Sequence, residues 1–139
     1  MNSAFTPLRL ILTLVALLFT STTGSASAAD NQGESVGFVI VPDNVPATDV
    51  AAAMEQVLRG RAWGIKSKSE DTVVGYLKHR SNEATVTLTH SGKKIDLHCV
   101  GWAINKKTGE RKKPELPHGW LKNLQSDLTK LLNRLTTSS

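Results

Sequence analysis

Four histidines and a lone cysteine carry most of the reactive chemistry in this sequence: His79, His90, His98, Cys99 and His118. Imidazole and thiolate are donors that zinc and copper take, so the set raises the question of a metal site. His98 beside Cys99 also raises a thiolate nucleophile with a neighbouring base. Both need side chains that converge, and the local pattern separates them. His98 and Cys99 are consecutive in an alternating run, Ile95 to Cys99, so they face opposite sides of a strand. His79 and His90 share a face but stand at opposite ends of the run Ala84–His90, six residues apart, roughly 20 Å at the strand rise. Asp96 is alone at the middle of the stretch, so paired carboxylates for acid–base work have little support. The expectation is no metal, no cofactor and no catalytic residue. The alternative is a small metal-binding protein or hydrolase centred on His98, His79 or Cys99.

A second set shares a face. Tyr76, Lys78, Arg80, His98 and Trp102 fall on the polar side of the same strands and form a candidate ligand-binding surface. Aromatic and basic groups interleaved on an open sheet suit an anionic or ring-bearing ligand. The plainer reading is cross-strand cover of a solvated face, with Arg80 holding its loop by pairing with Glu83.

The elements that must position these residues lie in Thr72–Cys99. Three alternating runs are joined by short polar connections, the pattern of an antiparallel meander. Val86 and Leu88 alternate with Thr85, Thr87 and Thr89; Ile95, Leu97 and Cys99 alternate with Asp96 and His98. The SGKK connection sets His90 opposite Ile95 and Val86 opposite Cys99. A loop over Arg80–Glu83 sets Leu77 opposite Val86. An earlier strand, Ala62–Lys68, brings Trp63 opposite Leu77. The expected core row is Trp63, Leu77, Val86 and Cys99; the expected outer row is Gly64, Tyr76, Thr87 and His98. A slip of one residue would invert a strand, so each register is constrained by the hydrophobic face.

A helix is expected over about Thr48–Arg59, with Thr48 as N-cap, Asp49 in the first turn and Gly60 as the stop. A second is expected from His118 or Gly119 to Arg134, where Trp120, Leu121, Leu124, Leu128, Leu131, Leu132 and Leu135 make a broad apolar stripe. The fold class is therefore α+β: a four-stranded antiparallel meander with two helices on one face, in two layers. Gly101–Lys113 reads as a solvated hairpin or loop, Thr136–Ser139 as a frayed tail. Val36–Val41 is a short apolar strand candidate that must join the domain or a sheet edge, because exposed it would aggregate.

Residues 1–29 have the form of a secretory signal, with Arg9, an apolar run Leu10–Phe19 and a small-residue site at Ala26-Ser27-Ala28 or one residue on. The apolar run falls short of the ~20 residues of a transmembrane helix, and no cysteine stands at the cleavage site to take a lipid. An exported protein, periplasmic or secreted, follows, with an extended segment over 30–46 and one domain over 47–135. Cys99 is the only cysteine, so no intrachain disulfide is available; on the core face it reads as a small hydrophobe. Sixteen of the seventeen Lys and Arg lie from Arg59 onward, against seven of the twelve acids. That balance suits an anionic partner, and export removes most access to nucleic acid.

In order and spacing, Arg61 with Trp63, then Leu77, Arg80, Ala84 and Val86, then Ile95 and Leu97, then Trp120, Leu121, Asn123 and Leu124 resemble a family of small exported bacterial proteins. Many of its members are lipoproteins, and the family has no established function. The resemblance covers about Thr48 to Leu135. It implies an α-β-meander-α domain and assigns no functional residue. Here His90 and Cys99 stand where the family tends to have Tyr, Pro-His precedes Trp120 in place of Tyr-Asn, and the lipid-accepting cysteine is missing. The expectation is a non-catalytic binding module of the cell envelope, with an anionic envelope component or another envelope protein as partner.

Overall fold

The structure, a computed structural model, describes residues 33–138; the expected export signal and its cleavage site lie outside the described residues. The elements are β1 (Glu34–Ile40), α1 (Ala47–Gly60), β2 (Gly64–Lys68), β3 (Thr72–His79), β4 (Asn82–Ser91), β5 (Lys94–Ile104), β6 (Arg111–Pro114) and α2 (His118–Thr137). The class is α+β with an antiparallel sheet and two helices, but the sheet has six strands, not four, in the order β1-β5-β4-β3-β2 with β6 also on β5. It is not a simple meander. The added strands have one cause: β5 runs to eleven residues, long enough for its free edge to be shared. β1 takes the first half, from Lys94 to Cys99, and β6 the second, from Trp102 to Ile104. The apolar run after Val36 thus becomes an edge strand, and of the two forms expected for the Lys-rich segment, hairpin or loop, it takes the hairpin, with Gly109 in positive φ at its turn.

Registers follow the turns. Gly92, at φ 61°, lets the chain reverse in two residues, giving the expected pairs His90–Ile95 and Val86–Cys99. The β3–β4 connection is tighter than the expected loop. His79 pairs with Asn82, and Leu77 with Ala84 rather than Val86. The turn is Arg80–Ser81, with Arg80 at φ 56°, a position where glycine is the unstrained residue. The slip is two residues, so every side chain keeps its face. It does remove Leu77 from the core row, and Leu77 is only half-buried; Trp63 precedes β2 and joins no strand.

The core lies between sheet and helices. Val39, Val73, Val86, Leu88, Ile95, Leu97 and Cys99 from the strands meet Val50, Met54 and Leu58 of α1 and Leu124, Leu128 and Leu132 of α2. Each such aliphatic side chain contributes about 1.5–3 kcal/mol on burial. Across the helix surfaces, Arg61 Nε donates to Asp127 Oδ2 at 2.6 Å and ties the end of α1 to α2. Among the described residues no helix is long and apolar enough to cross a membrane.

Helix boundaries differ from expectation where backbone geometry overrides residue type. Pro46, not Thr48, is the N-cap of α1, its carbonyl accepting the N–H of Asp49 and Val50. Nor does Gly60 stop the helix. The stop is Ala62 at φ 67°, where its N–H bonds the Arg59 carbonyl and the Trp63 N–H bonds Leu58, the paired bonds of a Schellman ending. At α2, Thr136 and Thr137, expected to fray, stay helical. Hydroxyls of Thr136, Thr137 and Ser138 return to the carbonyls of Asn133 and Arg134, meeting acceptors that a helix end leaves open.

Alanine is a costly residue at position 62. Left-handed backbone costs a non-glycine residue about 1–2 kcal/mol, while glycine's extra freedom in the unfolded chain returns about 0.4–1 kcal/mol. Ala62→Gly should therefore raise stability by about 0.5–1 kcal/mol in denaturant titrations. A drop in stability instead would show that the Ala62 methyl packs well enough to outweigh its strain.

Candidate functional site

Both helices lie on one side of the sheet, so the opposite face is free of them. Its rows are fixed by register. Lys78, Glu83 and Trp102 share one row across β3, β4 and β5; Tyr76, Thr85 and Val100 form the next; Val74, Thr87 and His98 the one after. Arg111 enters from β6 and organises the first two. Its Nη2 stands 2.6 Å and its Nε 2.8 Å from Glu83 Oε1. Its guanidinium carbon lies 5.0 Å from the centre of the Trp102 ring, within cation–π range. Glu83 is 8% exposed, so Arg111 supplies the partner that a buried carboxylate requires. Burial first, and then the nearby Glu83 charge, push the Tyr76 phenol above its usual pKa.

Lys66, the bulged residue between Ile65 and Ser67, lines the same depression. Together Lys66, Glu83, Thr85, Val100, Trp102 and Arg111 border a groove of about 340 Å3. Lys78 reaches toward the β5–β6 turn, where a Cβ built on Gly109 would lie 3.4 Å from its Nζ. Neither Lys66 nor Lys78 forms an ion pair with a described residue, whereas Arg111 is committed to Glu83. The Trp102 indole N–H is buried without a hydrogen-bond partner among the described residues, as is His98 Nδ1.

Of the residues singled out from the sequence, Trp102 lines this groove, and Tyr76 and Lys78 stand in the adjoining rows of the same face. His98 sits further along the face between Thr87 and Ser35. Arg80 stands exposed at the β3–β4 turn, and the expected Arg80–Glu83 contact is replaced by Arg111–Glu83. The contributions of Glu83, Arg111 and Lys66 were not foreseen. The signal for Glu83 was present: it falls in phase with Thr85 and Thr87 once the turn is placed at Arg80–Ser81. Thr87, expected as a solvent-facing residue, is only 6% exposed, because the side chains around it on this face close over it.

The His and Cys set is dispersed. His79 ends β3, His90 is the penultimate residue of β4 with Nε2 3.0 Å from the Gly92 carbonyl oxygen, and His118 opens α2. Among the described residues no group of three or more His, Cys, Asp or Glu side chains is placed to hold a metal. Cys99 is buried on the core side, and desolvation pushes its thiol up to about 12, so at neutral pH it is a protonated, unreactive hydrophobe. Comparison with known proteins returned no match: no family model, no curated protein and no solved structure corresponds to this chain.

Proposed function

We propose that this chain is a non-catalytic binding module of the cell envelope, exported as its first residues suggest, and that the helix-free sheet face receives an anionic partner. One observation carries the reading: Lys66 lines a groove walled by Trp102, Lys78 stands on the same sheet face beside Glu83, and neither ammonium group has an ion-pair partner among the described residues. An anionic group bearing oxygens supplies the counter-charge that both lysines lack. The net charge of +5 favours approach of such a partner. Glu83 and Arg111 cancel each other and fix the groove wall.

The test is retention on an immobilised polyuronate. Wild-type protein should bind at low salt and elute as salt rises, because the Debye length falls from ~10 Å at 0.1 M to ~3 Å at 1 M. Lys66→Glu with Lys78→Glu should lose retention, with little change in melting temperature because both side chains are exposed. The pair Lys122→Glu and Lys130→Glu changes charge equally on α2 and should retain it. Equal loss by both pairs would reduce the effect to net charge, and a wild type that never binds would overturn the reading.

A further inference from the structure

The sequence pattern that ran from Arg61 to Asn123 has a spatial counterpart. Arg61, Trp63, Leu77, Trp120 and Asn123 line one cavity of about 260 Å3, which Ala62 and His79 complete. It lies between the end of α1, the turn end of β3 and the first turns of α2, on the helix side of the sheet. The charged groove is on the other side, so the two sites are independent.

Its walls are apolar and largely rigid. Trp63 and Trp120 meet edge to face, centroids 6.0 Å apart at 87°. Trp63 is buried, while Trp120 is half-buried and keeps part of its ring at the opening. The Ala62 methyl is held there by left-handed backbone, and such strain concentrates where a surface must keep a given shape.

Its rim is polar and close to neutral. Arg61 spends its charge on Asp127, through Nε to Oδ2 at 2.6 Å and Nη2 to Oδ1 at 3.2 Å, which fixes the guanidinium without leaving it free for an anion. The Asn123 amide and the His79 ring make no hydrogen bond to described residues and can both donate and accept. One His without companions offers no metal site. The volume falls just below the ~300–1,000 Å3 of pockets for drug-sized ligands, which excludes a nucleotide and leaves room for one ring with its substituents.

A ring with an apolar C–H face and a hydroxylated edge matches all three constraints: size, aromatic wall and neutral donor–acceptor rim. We propose that this cavity binds one pyranose unit of a neutral glycan, with its C–H face on Trp120 and its hydroxyl or acetamido groups on Asn123 and His79.

The β-1,4-linked disaccharide of N-acetylglucosamine is the probe, at millimolar concentration, read by saturation-transfer NMR and by tryptophan emission. Transfer should reach the sugar ring C–H protons, and emission should change saturably. Asn123→Ala, an exposed change that should keep the circular dichroism spectrum, should weaken binding about tenfold, the upper range for one neutral hydrogen-bonding side chain. The Lys66→Glu, Lys78→Glu double variant should bind the sugar as wild type does, which separates this site from the anionic groove. No saturable signal with wild-type protein overturns the proposal. So does unchanged affinity in both Asn123→Ala and His79→Ala.

Discussion

Leu97→Ala should destabilise the fold by about 2–5 kcal/mol, the range for removing a fully buried Leu side chain. Leu97 is completely buried at the centre of the core. Its strand is pinned on both sides, by Leu88 of β4 and Gly37 of β1, so the backbone cannot move in to fill the space. The cost should fall in the upper half of that range, because a cavity that does not collapse loses its packing as well as its transfer energy. Leu77→Ala is the contrast. Leu77 is half-buried and borders an open cavity, so its loss should cost clearly less. Urea titration of both variants is the measurement. If Leu77→Ala were the more damaging, the core would sit at the turn end of β3 and not beneath β5.

That contrast marks how far the sequence could be read. Face assignment was legible in β4 and β5, because alternation of Val, Leu and Ile with Thr, Asp and His admits one answer, and β3 takes its faces from pairing with β4. Register was legible where glycine announced the turn: Gly92 gave His90–Ile95 correctly. It was misread where Arg80 occupies a glycine-type position, since nothing in an Arg-Ser dipeptide signals a two-residue reversal. The end of α1 failed for the same reason, with Ala62 taking the left-handed place that Gly60 seemed to claim. Local conformational preference was overridden at both points by the tertiary structure around it.

The candidate groove was half legible. Tyr76, Lys78 and Trp102 could be placed from strand phase alone. Arg111 could not, because the segment that carries it reads equally as hairpin or loop, and its pairing is set only by the open second half of β5. Without Arg111, Glu83 had no reason to be drawn inward, and Arg80 was the nearest cation in sequence. Pairing across long sequence separation is invisible to local pattern. The Trp63–Trp120 cavity lay in the sequence as a pattern of residues, but its closure needs the T-shaped contact between the end of α1 and the start of α2.

Gly101→Ala should also destabilise strongly, through crowding rather than loss. Gly101 faces the helix side of β5, in a row with Ala84 of β4. At this end of the sheet the cover is the bare chain leading into α2. The Glu115 N–H donates to the Gly101 carbonyl at 3.0 Å, and a Cβ on Gly101 would collide with the Glu115 carbonyl oxygen and stand 3.0 Å from Pro117 Cδ. A flexible side chain could swing aside; a backbone carbonyl next to a proline cannot. Either β5 or the 115–117 segment must shift. Overpacking of this kind costs typically ~1–3 kcal/mol, occasionally more, and the rigid obstacle puts this case at the top of that range. The shift should be felt at the first turn of α2, so Trp120 emission should change along with the urea midpoint. Gly60→Ala is the control. Gly60 lies in the last turn of α1, and beyond its neighbours and the helix backbone no described atom comes within 4 Å of an added methyl, so alanine there should be neutral or stabilising by up to about 1 kcal/mol. If Gly101→Ala melted within ~0.5 kcal/mol of wild type, the size of an ordinary surface change, the 115–117 segment would not lie against β5 as described.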